Sequence, residues 1–266
     1  MRSRLRVTAI ILAGGFSKSF FEAFGEGFKA LLSYRGQKLW EIVDCAAGEA
    51  GLTNRIVIGE WNEEHKIEVL PGGSRMMLTG LGSIYRNLRY ALMEATTDYV
   101  VILTADIHRL TGEIFSRFLE QCTRAGDNGL VCPVIPVELC EAEHPGAKRT
   151  SVKLVEGRFT MGNIFYAHRK TLLDNLWKIG IFLWARKKPL VLALLLGPKF
   201  VLGYLRRDIS LTDLEAKAEK MLRVRIKAIV CNQPGDSAIG DDIDKVEQGD
   251  VLDEARSGPR NSIPVA

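Results

Sequence analysis

Cysteine is scarce in the sequence and follows no regular spacing. The five cysteines are odd in number and include no CxxC pair. This pattern predicts neither a disulfide framework nor a zinc site. Reduced thiols in a cytosolic protein are therefore the simplest interpretation. The cysteines are Cys45, Cys122, Cys132, Cys140 and Cys231.

The sequence also lacks the usual signs of acid–base or nucleophilic hydrolysis. Its four histidines are dispersed, and no serine stands in a nucleophile-elbow motif. We expect His108, which lies close to Asp106, to be structural or to face a substrate rather than to act as a base. The composition, 47% hydrophobic and 26% charged, excludes collagen-like and disordered classes and is that of a globular protein.

Charge of one sign is not in large excess. The 36 basic and 32 acidic residues give a net charge of +4. An excess this small does not argue for nucleic acid binding, because nucleic acid sites concentrate many basic residues. We expect no nucleic acid partner.

Long uninterrupted apolar runs are absent. The N-terminal run is only about eight residues long and ends in Gly14-Gly15, which predicts a buried strand and not a signal peptide. Residues 172–207 are the most apolar part of the chain, but basic residues and prolines interrupt them. A membrane span needs about twenty apolar residues, so none is predicted.

Two interpretations of residues 172–207 stay open. The segment could be a helical cap packed on the domain, or a dimer surface. It could instead form interfacial helices whose basic flanks lie on an anionic bilayer and present a lipid-linked acceptor. The second interpretation would place a cytoplasmic protein at the inner face of the membrane. The interruptions are Lys178, Arg186, Lys187, Lys188, Pro189, Pro198, Lys199, Arg206 and Arg207.

Strand-like and helix-like patterns alternate through the first half of the chain. Strand, glycine turn, helix and strand form the start of a βαβ unit, whose crossover makes the strands parallel. The alternation predicts an α/β fold with a mostly parallel sheet. The predicted strands are 7–13, 55–59, 99–106 and 130–137, and the predicted helices are 38–50, 83–95 and 111–124, the last capped by Thr111.

The pattern changes from residue 148 onward. Residues 148–169 resemble two strands joined at Glu156-Gly157, which is typical of a β-hairpin. We predict one domain, residues 1–256, in which residues 172–223 are a helical insertion, and a loose tail at 257–266. The other elements predicted are a helix at 211–222 capped by Ser210, a strand at 224–230, a return of 239–243 to the sheet and a helix at 246–255.

Three motifs follow predicted strands, where ligands bind in open parallel sheets. Gly14 and Gly15 would let the backbone approach a phosphate, and Lys29 would add a cation. Asp106 ends a buried strand, where a carboxylate is either a Mg²⁺ ligand or a turn cap. Asp242 is the better metal candidate in the later acidic cluster, because Asp244 can cap the following helix.

The hairpin region offers cations together with hydroxyl and amide donors. Such groups suit a phosphorylated acceptor, although a basic exposed hairpin is an equally reasonable interpretation. The candidate acceptor-binding residues are Lys148, Arg149, Thr160, Gly162 and Asn163.

Taken together, LAGG, Lys29, LTAD and GDDID resemble the MobA-like NTP transferase family. These nucleotidyltransferases have a Rossmann-like, glycosyltransferase-A-type fold and include molybdenum cofactor guanylyltransferase and methylerythritol phosphate cytidylyltransferase. The resemblance implies that Asp106 and Lys29 are catalytic and that Asp106 and Asp242 hold Mg²⁺. It implies nucleotide binding by Leu12, Ala13, Gly14, Gly15, Lys18, Lys29, Gly82, Ser83 and Asn87.

The implied reaction transfers a nucleoside monophosphate from an NTP to a phosphorylated or lipid-linked acceptor and releases pyrophosphate. The sequence departs from the family pattern between LAGG and Lys29, where the usual arginine is missing and FFEAFGEGF is long, aromatic and acidic. Two alternatives remain: a nucleotide-sugar glycosyltransferase of the same fold, and a non-catalytic nucleotide-binding or membrane-associated module.

Overall fold

A computed structural model describes residues 6–60, 66–126, 129–145, 149–185 and 197–243. Ten strands form one mixed sheet. They are β1 (Val7–Ala13), β4 (Asn54–Gly59), β5 (Lys66–Leu70), β6 (Gly73–Thr79), β7 (Tyr99–Thr104), β8 (Leu130–Pro136), β9 (Val152–Leu154), β10 (Gly157–Met161), β11 (Ile164–His168) and β12 (Ile226–Val230). Their order in the sheet is β5-β6-β4-β1-β7-β11-β8-β10-β9, and β12 also pairs with β8. Strands β2 (Ser33–Tyr34) and β3 (Gln37–Lys38) form a separate two-stranded sheet.

The centre of the large sheet is parallel. Strands β6, β4, β1 and β7 are hydrogen-bonded in parallel pairs. The register pairs Ala13 with Gly59, Gly59 with Thr79, and Leu12 with Thr104, so the carboxyl ends of all four strands meet at one edge. The loops that leave this edge carry Gly14-Gly15, called the glycine turn below, and Asp106.

Eight helices lie in the described part of the chain. They are α1 (Lys18–Phe24), α2 (Leu39–Glu49), α3 (Ile84–Glu94), α4 (Gly112–Arg124), α5 (Val137–Glu143), α6 (Arg169–Ala185), α7 (Pro198–Arg206) and α8 (Leu211–Leu222), with short 3₁₀ helices at Lys29–Leu31 and Asp236–Gly240. Neighbouring residues of β1 enter different hydrophobic clusters, since Ile11 packs with residues of α2 and α4 and Ile10 with residues of α3 and α6. The central sheet is therefore covered on both faces, as its apolar strands require.

Most predicted elements are confirmed. Helix α8 begins and ends where the sequence predicts, with the Ser210 hydroxyl accepting a hydrogen bond from the Asp213 amide. Thr111 caps α4 by accepting from the Ile114 amide. The predicted hairpin forms at Glu156-Gly157, but its second strand divides into β10 and β11 at Gly162-Asn163.

The structure corrects three local predictions. Strand β8 ends at Pro136, one residue earlier than predicted, and Val137 begins helix α5, which the sequence did not predict. The acidic cluster that contains Asp242 follows a 3₁₀ helix and not a strand. The stretch between Gly15 and Lys29 contains helix α1 at residues 18–24, which the sequence did not predict either.

The apolar segment forms helices α6 and α7 within the described ranges. Leu172 and Leu176 of α6 belong to the same buried cluster as Ile10, so the start of α6 packs on the sheet. The basic triplet at 186–188 and Pro189 lie outside the described residues, as do Asp244, the helix predicted at 246–255 and the tail. Among the described residues, no helix combines the length and the apolar character that a membrane span needs.

Candidate functional site

Lys29 links three segments that are distant in the sequence. Its Nζ donates hydrogen bonds to Asp106 Oδ2 at 2.9 Å and to the carbonyl oxygen of Ile243 at 2.8 Å. The side chains of Lys29 and Asp106 are only 18% and 16% exposed. The family motifs that the sequence analysis singled out therefore converge on one half-buried ion pair.

Asp106 keeps one carboxylate oxygen available. Its Oδ1 is buried and has no hydrogen-bond partner among the described residues. The backbone of Asp242 is bridged to Ile107, the residue after Asp106, which places the two predicted metal ligands on adjacent segments. Within the described ranges no cluster of three or more His, Cys, Asp or Glu residues could hold a metal. Two carboxylates nevertheless fit Mg²⁺, which takes few ligands from protein and others from phosphate and water.

The glycine turn, Gly14-Gly15, lies against the first turn of α3. A Cβ atom at Gly14 would lie 2.7 Å from Asn87 Nδ2, so a side chain there would displace a buried amide. The Asn87 Oδ1 accepts a hydrogen bond from the Leu81 amide at 2.6 Å. Gly82 adopts a positive φ of 75°, and Ser83 caps α3 by accepting from the Arg86 amide. Of the predicted nucleotide-binding residues, Gly14 thus contacts Asn87 in the first turn of α3, and Gly82 and Ser83 lie in the loop that leads into this helix.

The acidic stretch between Gly15 and Lys29 is folded back on itself. The Lys29 amide donates to the Gly15 carbonyl at 3.3 Å, and the Ser17 amide donates to the Gly27 carbonyl at 2.7 Å. Glu26 accepts from the Phe28 amide at 2.7 Å, so this carboxylate stabilises a turn.

Lys18, the only basic residue between Gly15 and Lys29, is exposed to solvent. It pairs with Glu22 one turn along α1 at 3.4 Å. The ion pair satisfies Glu22 locally, because residues four apart share one helix face. Leu12 and Ala13 end β1, and the Leu12 carbonyl accepts from the Ala105 amide at 3.1 Å, next to Asp106.

Asp241 is the centre of a buried charge cluster that the sequence analysis missed. Arg149 Nη2 lies 2.6 Å from Asp241 Oδ1, and Arg109 Nε lies 3.4 Å from Oδ2. The Nε2 atoms of His108 and His144 each lie 3.8 Å from Oδ2. Arg149 also donates to the carbonyl of Gly240. These contacts fix the backbone that leads directly into Asp242.

The surroundings lower the pKa of both histidines in this cluster. Burial lowers the pKa of His108, and Arg109 lowers it further, although Asp241 opposes the shift. Burial likewise lowers the pKa of His144, with Arg109 and Arg149 contributing in the same direction against Asp241. Arg109 Nε donates to His108 Nε2 at 3.2 Å, an acceptor role that a protonated ring could not fill. The expectation that His108 is structural or faces a substrate fits these contacts.

The predicted acceptor residues have varied surroundings. Arg149 binds Asp241, as described above, and the Thr160 hydroxyl donates to the Thr150 carbonyl at 3.0 Å. The Asn163 amide donates to the Ile239 carbonyl at 2.9 Å, and its carbonyl accepts from Thr104. A Cβ at Gly162 would lie 2.7 Å from a carbon of Ile239, so this glycine allows close packing. Lys148 lies outside the described residues.

Sequence reasoning missed Arg109, His144, Asp241 and the Ile243 carbonyl as parts of this region. Arg109 lies three residues after Asp106, and Asp241 precedes Asp242, so proximity to the family motifs was the available signal. A backbone carbonyl that accepts from Lys29 leaves no such mark, because every residue carries one.

Comparisons with known proteins agree with the fold described above. A hypothetical transferase from Thermus thermophilus is 35% identical, with a TM-score of 0.77, and the match covers 91% of this chain and 98% of that one. A 2-C-methyl-D-erythritol 4-phosphate cytidylyltransferase, also from Thermus thermophilus, is 14% identical (TM-score 0.51; 93% and 97% covered). Rv0371c from Mycobacterium tuberculosis H37Rv, in complex with manganese, is 13% identical (TM-score 0.50; 94% and 100% covered). The last two show likeness of fold alone.

The expected Rossmann-like, glycosyltransferase-A-type nucleotidyltransferase fold is thereby confirmed. A search of curated protein sequences gave no significant match. A model of the MobA-like NTP transferase domain matches residues 9–172, which is more than half of the chain and includes the glycine turn, Lys29 and Asp106. The chain therefore belongs to the MobA-like NTP transferase family of nucleotidyltransferases.

Proposed function

We propose that this nucleotidyltransferase transfers a nucleoside monophosphate from an NTP to a phosphorylated or lipid-linked acceptor, with Mg²⁺ as cofactor. The observation that carries the proposal is the pairing of Lys29 with Asp106 beside the glycine turn. An acceptor oxygen forms a bond to the α-phosphorus as the bond from this phosphorus to the β-phosphate oxygen breaks. Pyrophosphate is the leaving group. Positioning and charge stabilisation suffice for such in-line transfer.

The glycine turn would bind the triphosphate. Gly15 is exposed, and a Cβ atom there would meet no neighbour within 4 Å, so a phosphate could approach its backbone closely. The ammonium group of Lys29 would then offset phosphate charge near the ion pair. Asn87 lies next to Gly14 and accepts a hydrogen bond from the loop that precedes α3. We assign base or ribose contacts to that loop, at Gly82 and Ser83.

Asp106 and Asp242 would hold the metal. The buried Asp106 Oδ1, without a hydrogen-bond partner in the described structure, is a suitable hard oxygen donor. A bound Mg²⁺ would neutralise charge on the triphosphate and the departing pyrophosphate. Lys29, which donates to the other oxygen of Asp106, would fix the direction of that carboxylate.

Arg149, Thr160, Gly162 and Asn163, with Lys148, would lie on the acceptor side. Support comes from the backbone contact between Asn163 and Thr104, the last residue of β7, because Asp106 follows two residues later. Arg149 is paired with the buried Asp241. We infer from this contact that Arg149 positions this side of the site even where it does not itself touch the acceptor.

The test is pyrophosphate release from each of the four NTPs in the presence of Mg²⁺ and a panel of phosphorylated acceptors. We expect Asp106→Asn to lower the rate at least about 100-fold, the range seen when charge stabilisation of a transition state is lost. Asp174→Asn is the matched control, since Asp174 is an exposed residue paired with Lys170 on α6. Undiminished release by a folded Asp106→Asn protein would contradict the metal role.

The same assay separates the rival activity. A nucleotide-sugar glycosyltransferase would release a nucleotide from a sugar donor and no pyrophosphate from an NTP. Sugar transfer that depends on Asp106, together with no pyrophosphate release from any NTP, would overturn the proposed reaction.

A further inference from the structure

Helix α7 exposes apolar side chains on one side. The apolar side chains of Leu202 and Leu205 are 47% and 71% exposed. They are three residues apart, and Arg206 follows at the fourth position from Leu202, so all three share one face of the helix. Arg207, just beyond the helix end, is also exposed. We call Leu202, Leu205, Arg206 and Arg207 the α7 face.

The opposite side of α7 is anchored to the domain. Phe200 packs against the buried cluster that contains Phe159 and Ile209. A Cβ atom at Gly203 would lie 2.8 Å from the Ile209 side chain, so the helix approaches this residue closely. The exposure of the leucines is therefore a consequence of how the helix packs, and rotating it inward would break these contacts.

The sequence segment that contains this helix is rich in basic residues. Nine of the 36 Lys and Arg residues lie between Arg169 and Ser210, but only two of the 32 Asp and Glu residues do. The remaining 27 basic and 30 acidic residues leave the rest of the chain slightly acidic. The net positive charge of the protein thus comes from the segment that contains the α7 face.

We propose that the α7 face docks on an anionic membrane surface. Exposed leucines flanked by arginines match the two attractions that bind interfacial helices, burial of apolar area at the acyl boundary and attraction to anionic headgroups. An acidic protein surface would pair with the arginines but would not by its charge account for the exposed leucines. An anionic bilayer accounts for both. Docking does not depend on the proposed reaction; only its use to reach a lipid-linked acceptor rests on that function.

The experiment is sedimentation of the full chain with vesicles of phosphatidylcholine containing phosphatidylserine, and with vesicles of phosphatidylcholine alone. We expect binding to the anionic vesicles that weakens as salt is raised, and little binding to the neutral ones. Arg206→Gln with Arg207→Asn should weaken partitioning about 30-fold, since each basic residue near an anionic surface contributes about fivefold to binding. Asn suits position 207 because this residue has a positive φ of 65°.

A second variant removes apolar area without changing charge. Leu202→Gln with Leu205→Gln should weaken partitioning at least about tenfold. The matched control is the pair Ile67→Gln and Val69→Gln. These two residues are 66% and 85% exposed. They lie on β5, at the opposite end of the sheet order from β9. We expect the control variant to bind within about twofold of the unmodified protein.

Several outcomes would overturn the proposal. These are no sedimentation with anionic vesicles, equal binding to neutral vesicles, equal loss in the β5 control, or a dimer in analytical ultracentrifugation that the Leu202 and Leu205 changes abolish. Pyrophosphate release with soluble acceptors is measured on the same proteins. Lost docking with retained release contradicts docking alone, and retained docking without release in any assay contradicts the proposed reaction alone.

Discussion

The neighbouring residues Asp241 and Asp242 have different surroundings. Asp241 is buried among Arg149, Arg109 and two histidines, so its charge is compensated within the protein. Asp242, whose backbone is bridged to Ile107, lies beside the pair formed by Lys29 and Asp106. Removing one partner of a buried ion pair leaves an uncompensated charge, so the contacts of Asp241 favour the backbone position seen here. We infer that Asp241 is a positioning residue for the side of the site where we propose metal binding.

The histidines around Asp241 make stability depend on pH. Their pKa is lowered in the folded protein, so the unfolded chain binds more protons between that lowered pKa and the ordinary value near 6.5. Stability should therefore fall as pH drops through this window, by up to about 1.4 kcal/mol per pH unit for each histidine. Urea denaturation between pH 7.5 and 5.5 measures this slope.

A double variant identifies the source of the slope. His108→Gln with His144→Gln should show a shallower dependence on pH than the unmodified protein, and His168→Gln, outside the cluster, serves as control. Identical slopes in the double variant and the unmodified protein would show that these two rings do not cause the effect.

At the scale of elements, α1 connects the glycine turn to the rest of the site. Its Phe20 is fully buried with Leu32, Leu39 and Ile243, and the Phe20 ring centroid lies 5.9 Å from Lys29 Nζ. The same helix thus packs against the residue whose carbonyl accepts from Lys29. The unusual aromatic stretch takes part in the architecture of the site and is not a loop without consequence.

Neighbouring phenylalanines of α1 offer a direct comparison. Phe20→Ala should lower the free energy of unfolding by about 3–5 kcal/mol, because it removes a buried ring. Phe21→Ala, in which the lost ring is 54% exposed, should change it by no more than about 0.5 kcal/mol. Chemical denaturation measures both, and equal losses in the two variants would contradict the assigned packing.

Sequence patterns predicted long elements well and short ones poorly. The period of α8 and its Ser210 cap were visible, since both are local signals. The sequence did not predict helix α1, because this helix has only seven residues and one buried side chain and ends at Gly25. Helix α5 was hidden because Pro136 suggests extended structure, whereas here it immediately precedes the helix.

The candidate site followed the same division. The glycine turn and Asp106 were candidates because each follows a predicted strand, and Lys29 was a candidate as a cation within the family pattern. Arg109 and Asp241 lie close to those motifs in the sequence. Their meeting with Arg149 and His144 could not be predicted, since these residues come from distant segments and meet only through packing. A backbone carbonyl as a partner of Lys29 was equally beyond sequence patterns.

At the scale of the whole molecule, one sheet brings the glycine turn, Asp106 and Asp242 to the same edge. The parallel strands end together, and the chain returns after β12 so that Asp242 pairs with the segment following β7. This return supports the proposal that residues 1–256 are a single domain with a helical insertion at 172–223. The α7 face belongs to that insertion, so surface docking and chemistry would be served by different parts of one fold.

The most direct test of the central claim follows phosphorus atoms through the reaction. NTP labelled at the α-phosphorus and NTP labelled at the γ-phosphorus are incubated separately with the protein, Mg²⁺ and an acceptor that supports turnover. Nucleotidyl transfer predicts that the α label enters the acceptor product and that the γ label leaves in pyrophosphate. Recovery of the γ label in the acceptor product, with the α label left in a nucleoside diphosphate, would contradict attack on the α-phosphorus.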